Sequence, residues 1–265
     1  MRAIIISLLG VTLCFIFLIG CNAFSKDDNF EEITVLAAGS LTESLTEIKE
    51  NFENLQEESV KININFAGSQ TLKTYIQRGE KADVFLSANL EYMDALVEEG
   101  FVDKYSVFAK NRLVLIKNNK SKYKVESLED LYKEGLNIAA GNKSVPVGSY
   151  WNESLEIALK NKIISNYEKS KILSNIVTEE LNVKDVVSKV LFGEVDVGVV
   201  YRTDVTEGIK NEVEIIELEI FNDLYAKYPI ALIIGDRESG LSEEFYEFIL
   251  YESKDVLKKY GFIVD

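Results

Sequence analysis

The sequence predicts an α/β protein whose strands are mostly parallel, and three observations predict it. Short apolar runs alternate with amphipathic stretches along the chain, the pattern of strand–helix–strand units. Two strand-like runs end in small residues and a serine just before a helical pattern, at Ala38-Gly39-Ser40 and Ala67-Gly68-Ser69. Two long apolar runs, near 110 and 229, read as crossings between a discontinuous first lobe and an inserted second one.

Composition bounds the rest. The chain has 265 residues, 47% hydrophobic and 28% charged, which places it among ordinary globular proteins. Its net charge of −15 disfavours nucleic acid and anionic lipid as partners. There is no histidine, so Ser-His-Asp and Cys-His catalysis and histidine-ligated zinc are excluded. The two cysteines, Cys14 and Cys21, lie near the amino end and leave no disulfide framework for the body.

Residues 1–20 have the form of a secretory signal: Met1-Arg2, an uncharged apolar run from Ala3, and a small-residue end. A polar tether, 21–31, follows. Ile33 to Leu36 is the first strand, and Leu41, Leu45, Ile48, Phe52 and Leu55 share one face of the helix after it. The turn between them offers backbone N–H groups and the Ser40 hydroxyl to an anion. Ser40 with Glu43 also fits a capping box, in which Glu43 would occupy the Ser40 N–H; the two uses compete. Val60 to Phe66 alternates strictly as a second strand, and Ser69 opens a helix carrying Leu72 and Ile76.

Residues 82–88 are a third strand, followed by a helix with Met93, Leu96 and Val97. Val107 to Ile116 is a long strand interrupted by Lys110-Asn111-Arg112. A helix near 127–132 and a strand at 136–140 lead to a loop ending Val145-Pro146-Val147-Gly148, which opens a helix over 149–159. Residues 172–177 read as a strand. Asn182 caps a helix with Val183, Val186, Val187, Val190 and Leu191 inward. Val195 to Tyr201 and 212–218 are strands, 228–234 is the return crossing, and one helix closes the chain over 242–259.

Other motifs carry little. Ser121-Lys122-Tyr123-Lys124 fits S-x-x-K but lies in a charged loop with no Lys-Thr-Gly partner. No G-x-x-x-x-G-K phosphate loop is present. Acidic runs such as Glu212-Glu214-Glu217-Glu219 read as solvated faces.

Taken in order, Ala38-Gly39-Ser40-Leu41-Thr42, Phe66 to Leu72, Ala82 to Ala88, Asn111 to Ile116, Val145 to Tyr150, Gly193 to Tyr201 and Tyr228-Pro229-Ile230-Ala231 resemble the molybdate-binding proteins that serve ABC transporters. Leu18-Ile19-Gly20-Cys21 resembles the lipobox of bacterial lipoproteins, with Cys21 as the acylated residue. The resemblance implies a two-lobed periplasmic-binding-protein fold of type II: lobe 1 over 32–109 and 229–265, lobe 2 over 110–228, ligand between them. It implies a molybdate site, with tungstate a second ligand, built from Ser40 and Ser69 in lobe 1 and Val147, Val183 and Tyr201 in lobe 2. The valines would donate through backbone N–H and the tyrosine through its phenol. The sequence has Gln70 where the family has Gly or Ser, and Val147 where it often has Ala. The expected protein is a monomeric, extracytoplasmic lipoprotein. It has permease subunits as partners, the membrane as its anchor, no enzyme activity, no cofactor and no direct protein–metal ligand. Sulfate or another tetrahedral oxyanion is the alternative ligand.

Overall fold

A computed structural model describes residues 31–57, 59–235 and 240–264. The expected leader, Cys21 and the tether through residue 30 lie outside the described residues. Strand β1 (Glu31–Ala38) starts within the expected tether: Glu31 and Glu32 have exposed side chains, yet both pair with β2 (Val60–Ala67). A 3-10 turn, Gly39–Leu41, leads into α1 (Thr42–Leu55), which buries Leu45, Ile48 and Phe52. Leu55 ends the helix with its side chain exposed rather than continuing the apolar face. Next come α2 (Ser69–Gln77), β3 (Val84–Leu86) and α3 (Leu90–Glu98).

The first crossing is one continuous strand, β4 (Tyr105–Asn118). Residues 128–132 form a 3-10 turn rather than an α-helix, opened by a reciprocal Ser127–Asp130 capping box. Beyond it lie β5 (Ile138–Gly141) and α4 (Pro146–Lys160), which begins earlier than expected because Pro146 occupies its first turn, where a missing N–H costs nothing.

The expected strand over 172–177 is overturned. Residues 166–174 are helix α5 (Asn166–Ser174), and β6 (Ile176–Glu180) starts after it. The cause is a capping box that the apolar pattern conceals: Ser165 N–H donates to Glu168 Oε2 at 2.7 Å, and Glu168 N–H donates to Ser165 Oγ at 3.3 Å. Ile172 is buried from within this helix.

Then follow α6 (Val183–Leu191), β7 (Val197–Tyr201), β8 (Val213–Ile216) and β9 (Tyr225–Leu232). The final helix is two, α7 (Leu241–Tyr251) and α8 (Lys254–Lys259), because Ser253 Oγ donates back to Phe248 O and ends the first.

The strands run β2-β1-β3-β9-β4-β7-β5-β6, with β8 pairing β4. Within each half the βαβ strands are parallel: β1 with β2 and β3, β5 with β6 and β7. The sheet as a whole is mixed, since β4 and β9 run antiparallel to their neighbours. Strand β4 pairs with β9 through Arg112 and with β7 from Leu113 onward, so it belongs to both halves. The polar interruption in this strand marks that exchange of partners.

Candidate functional site

The parallel strands of each half end towards one point, where ligands of open α/β sheets are held. A cavity of about 20 Å³ lies there, room for the centre of one small molecule or ion. Ser40, Ser69, Val147, Val183 and Tyr201 all line it.

Each is placed by a strand end or a helix start. Ser40 lies in the turn from β1 to α1, and Ser69 is the first residue of α2 after Gly68. Val147 is in the first turn of α4, behind Pro146, and Val183 opens α6. First-turn N–H groups have no partner within their own helix and carry the positive end of its dipole. At α6 the N-cap is used as expected: Asn182 Oδ1 accepts from Lys184 N–H at 3.1 Å. The Asn182 carbonyl takes the Asp185 N–H. Val183 N–H is thus left at the cavity wall.

The walls are close because they are small. A Cβ on Gly39 would lie 2.6 Å from Asn182 Oδ1, and one on Gly68 would lie 2.4 Å from Leu181 O. Gln70 spans the same gap, its Nε2 donating to Leu181 O at 3.0 Å, and Tyr92 donates to Ser144 O. The two halves are closed on each other.

Three hydroxyls face this space under different constraints. Ser69 Oγ accepts the Ala88 N–H at 3.1 Å, so its own proton is free to point elsewhere. Ser40 Oγ lies 2.7 Å from Tyr228 Oη. Tyr201 Oη is buried with no hydrogen-bond partner. Burial pushes the Tyr201 phenol well above its usual pKa, and it stays protonated. A buried phenol left unpaired costs about 1–3 kcal/mol, a cost that an incoming acceptor removes.

The capping-box alternative at Ser40 is resolved. Glu43 does not turn back to Ser40; both its oxygens accept from Lys184, at 2.7 and 2.9 Å. Lys184 Nζ also lies 3.3 Å from Asp204 Oδ1. Burial works against the Lys184 charge, but Asp204 and Glu43 outweigh it and hold the ammonium protonated. Asp204 is not a ligand group: its other oxygen accepts the Tyr201 N–H at 3.0 Å and fixes the turn after β7.

Sequence reasoning missed three residues here: Lys184, Tyr228 and Asn111. Asn111 is fully buried in β4, and the signal for it was a polar residue inside an apolar run. Ser121, from the S-x-x-K motif, donates to Asp196 Oδ1 at 2.7 Å and serves its own loop. Among the described residues no group of three or more His, Cys, Asp or Glu is arranged to hold a metal ion.

The chemistry of the cavity is that of hydrogen-bond donors, four helix starts and three hydroxyls, with no carboxylate among the lining residues. It suits a small anion.

Comparison with known proteins agrees in kind. Residues 33–263 match the family described as bacterial extracellular solute-binding protein. The molybdate-binding protein ModA of Mycobacterium tuberculosis (strain ATCC 25618 / H37Rv) is 31% identical over 232 residues, 87% of this chain and 84% of that one. A substrate-binding domain from Clostridium difficile is 28% identical with a TM-score of 0.63, covering 88% of this chain and 99% of that one. The sulfate-binding protein SubI of M. tuberculosis H37Rv has a TM-score of 0.76 over 88% of this chain and 86% of that one; at 15% identity the likeness is one of fold alone.

Proposed function

The chain belongs to the family of bacterial extracellular solute-binding proteins, and on that premise we propose that it captures molybdate, and tungstate with it, for an ABC transporter permease. The observation that carries this reading is the convergence of Ser40, Ser69, Val147, Val183 and Tyr201 on one small cavity between the halves, with no carboxylate in its lining. Molybdate at neutral pH is a dianion with four acceptor oxygens and no proton. Donors alone match it, and each charge-assisted bond contributes roughly 1.5–3 kcal/mol. Five or more such bonds can outweigh the closure of the halves and the desolvation of the anion.

In this reading Ser40 and Ser69 grip from lobe 1 (32–109 and 229–265), and Val147, Val183 and Tyr201 from lobe 2 (110–228). Strands β4 and β9 are the hinge, supported by the change of partner in β4 at Arg112 and Leu113. The protein performs no chemistry on its ligand, needs no cofactor and works as a monomer. Its closed form is what the permease subunits receive. The leader and Leu18-Ile19-Gly20-Cys21 support an extracytoplasmic protein held to the membrane by a lipid on Cys21.

Sulfate is the second reading, because it is also a bare dianion and the small cavity suits a smaller ion. Equilibrium dialysis with elemental analysis separates the two. One molybdenum retained per chain in the presence of excess sulfate supports the first reading, and displacement of molybdate by equimolar sulfate supports the second.

A further inference from the structure

We propose that Tyr228, held by Asn111, sets the direction of the Ser40 hydroxyl and so makes the site selective for fully deprotonated oxyanions. The inference rests on the oxyanion reading above. Tyr228 is absent from the cavity wall and acts as a positioning residue through Ser40.

Arg112 N–H donates to Asn111 Oδ1 at 2.8 Å, which fixes the orientation of the Asn111 amide. Its Nδ2 therefore faces the other way, donating to Thr203 Oγ1 at 2.8 Å and to Tyr228 Oη at 3.3 Å. Tyr228 is fully buried, and burial pushes its pKa up, so its phenol keeps its proton. Asn111 Nδ2 cannot accept that proton. The acceptor beside it is Ser40 Oγ, 2.7 Å away. Leaving a buried O–H unpaired is costly, so Tyr228 donates to Ser40. Ser40, already accepting, turns its own proton to the cavity.

The same logic applies to Ser69, whose oxygen accepts from Ala88 N–H. Both serines are thereby fixed as donors. A ligand that brings its own proton, such as hydrogenphosphate, meets two hydroxyls that each spend one lone pair on the protein and direct their own proton at it. Removing the Tyr228 hydroxyl frees Ser40 to accept.

The test compares molybdate with hydrogenphosphate in mildly alkaline buffer, where both carry two charges and differ in the proton. Native protein, Tyr228→Phe and Asn111→Asp are titrated calorimetrically, with hydrogenphosphate also measured by competition. A carboxylate at position 111 accepts the Tyr228 O–H hydrogen bond and reverses the chain, while its added charge opposes both dianions alike. The molybdate-to-hydrogenphosphate affinity ratio is expected to fall about tenfold or more in each variant. A ratio unchanged in folded variants, with both affinities lowered together, shows a merely structural role and overturns the proposal. Native protein that binds no oxyanion overturns the functional reading instead. If both variants fail to fold, neutron diffraction of the native complex decides: a deuteron on Tyr228 Oη directed at Ser40 Oγ supports the proposal, and one on Ser40 directed at Tyr228 overturns it.

Discussion

The Glu43 carboxylate grips Lys184, 2.7 and 2.9 Å away, and joins α1 to α6 beside the cavity instead of capping its own helix at Ser40. The closed form therefore carries an ion pair that an opened cleft would break. Glu43 and Lys184 keep partial exposure, with 36% and 25% of their side chains accessible, so the pair is worth no more than about 1 kcal/mol. Glu43→Gln, which leaves the Lys184–Asp204 contact in place, is expected to weaken anion binding a few-fold, through faster release and not slower capture. Stopped-flow measurement of both rate constants checks this.

Tyr201 and Ser69 are expected to separate binding from stability. The Tyr201 hydroxyl has no partner in the protein, so under the proposed site Tyr201→Phe removes a bond made only to ligand. Affinity should fall by roughly 1.5–3 kcal/mol with the melting temperature of the free protein unchanged or raised. Ser69→Ala removes a proposed ligand donor and also the acceptor of a buried Ala88 N–H. That variant should lose both affinity and about 1–3 kcal/mol of stability. Calorimetry and thermal melts on the two variants check the contrast.

Gly68 permits closure. A Cβ there would come within 2.4 Å of the Leu181 carbonyl oxygen, a backbone atom with little freedom to move. Gly68→Ala should fold and yet fail to close. Small-angle scattering of the variant with saturating anion is expected to match ligand-free protein, where native protein contracts.

Among the carboxyls held below their ordinary range outside the site, Glu47, Asp130 and Glu168, Asp130 is the source of acid sensitivity with the largest depression. Burial pulls the Asp130 carboxyl upward, but Lys133 and the N–H groups of Glu126 and Ser127 outweigh it and hold its pKa at about 2, below the ordinary 3.8. A depressed carboxyl stabilises the fold above its ordinary pKa and loses that contribution as pH falls towards 2. Asp130→Asn should cost about 1 kcal/mol near neutrality, after allowance for solvent screening, and flatten the loss of stability below pH 3.8. Denaturant melts at several pH values check it.

The fold was legible where patterns are local. The four Val of α6 and the alternation in β2 declare their elements from spacing alone. Asn182 declared its cap. Helix α5 was not legible from apolar spacing, because Ile172 and Leu173 sit beside Ile176 and Val177 and mimic one run; the signal was the polar Ser165–Glu168 box before them. Ser40 and Ser69 were suggested by their two matching helix starts, although a serine there is most often a cap, while Val147, Val183 and Tyr201 were named through resemblance alone. What no local pattern gives is which proton goes where. The Ser40–Tyr228 bond joins residues 188 positions apart, and Glu43 chooses Lys184 over Ser40 only once α6 is packed against it. Val147 illustrates the same limit. Its amide suits a ligand, but its side chain packs over Gly141, where a Cβ would lie 2.5 Å from Cγ1. Val147→Ala is thus expected to keep affinity and lose packing, about 1 kcal/mol in a melt.

The central claim is that a closed, donor-lined cavity holds a bare tetrahedral dianion. Isothermal titration of the native protein with molybdate, tungstate, sulfate and hydrogenphosphate tests it most directly. The account predicts sub-micromolar, one-to-one binding of molybdate and tungstate, with hydrogenphosphate bound far more weakly. Absence of binding to molybdate and tungstate, or hydrogenphosphate bound as tightly as either, contradicts it.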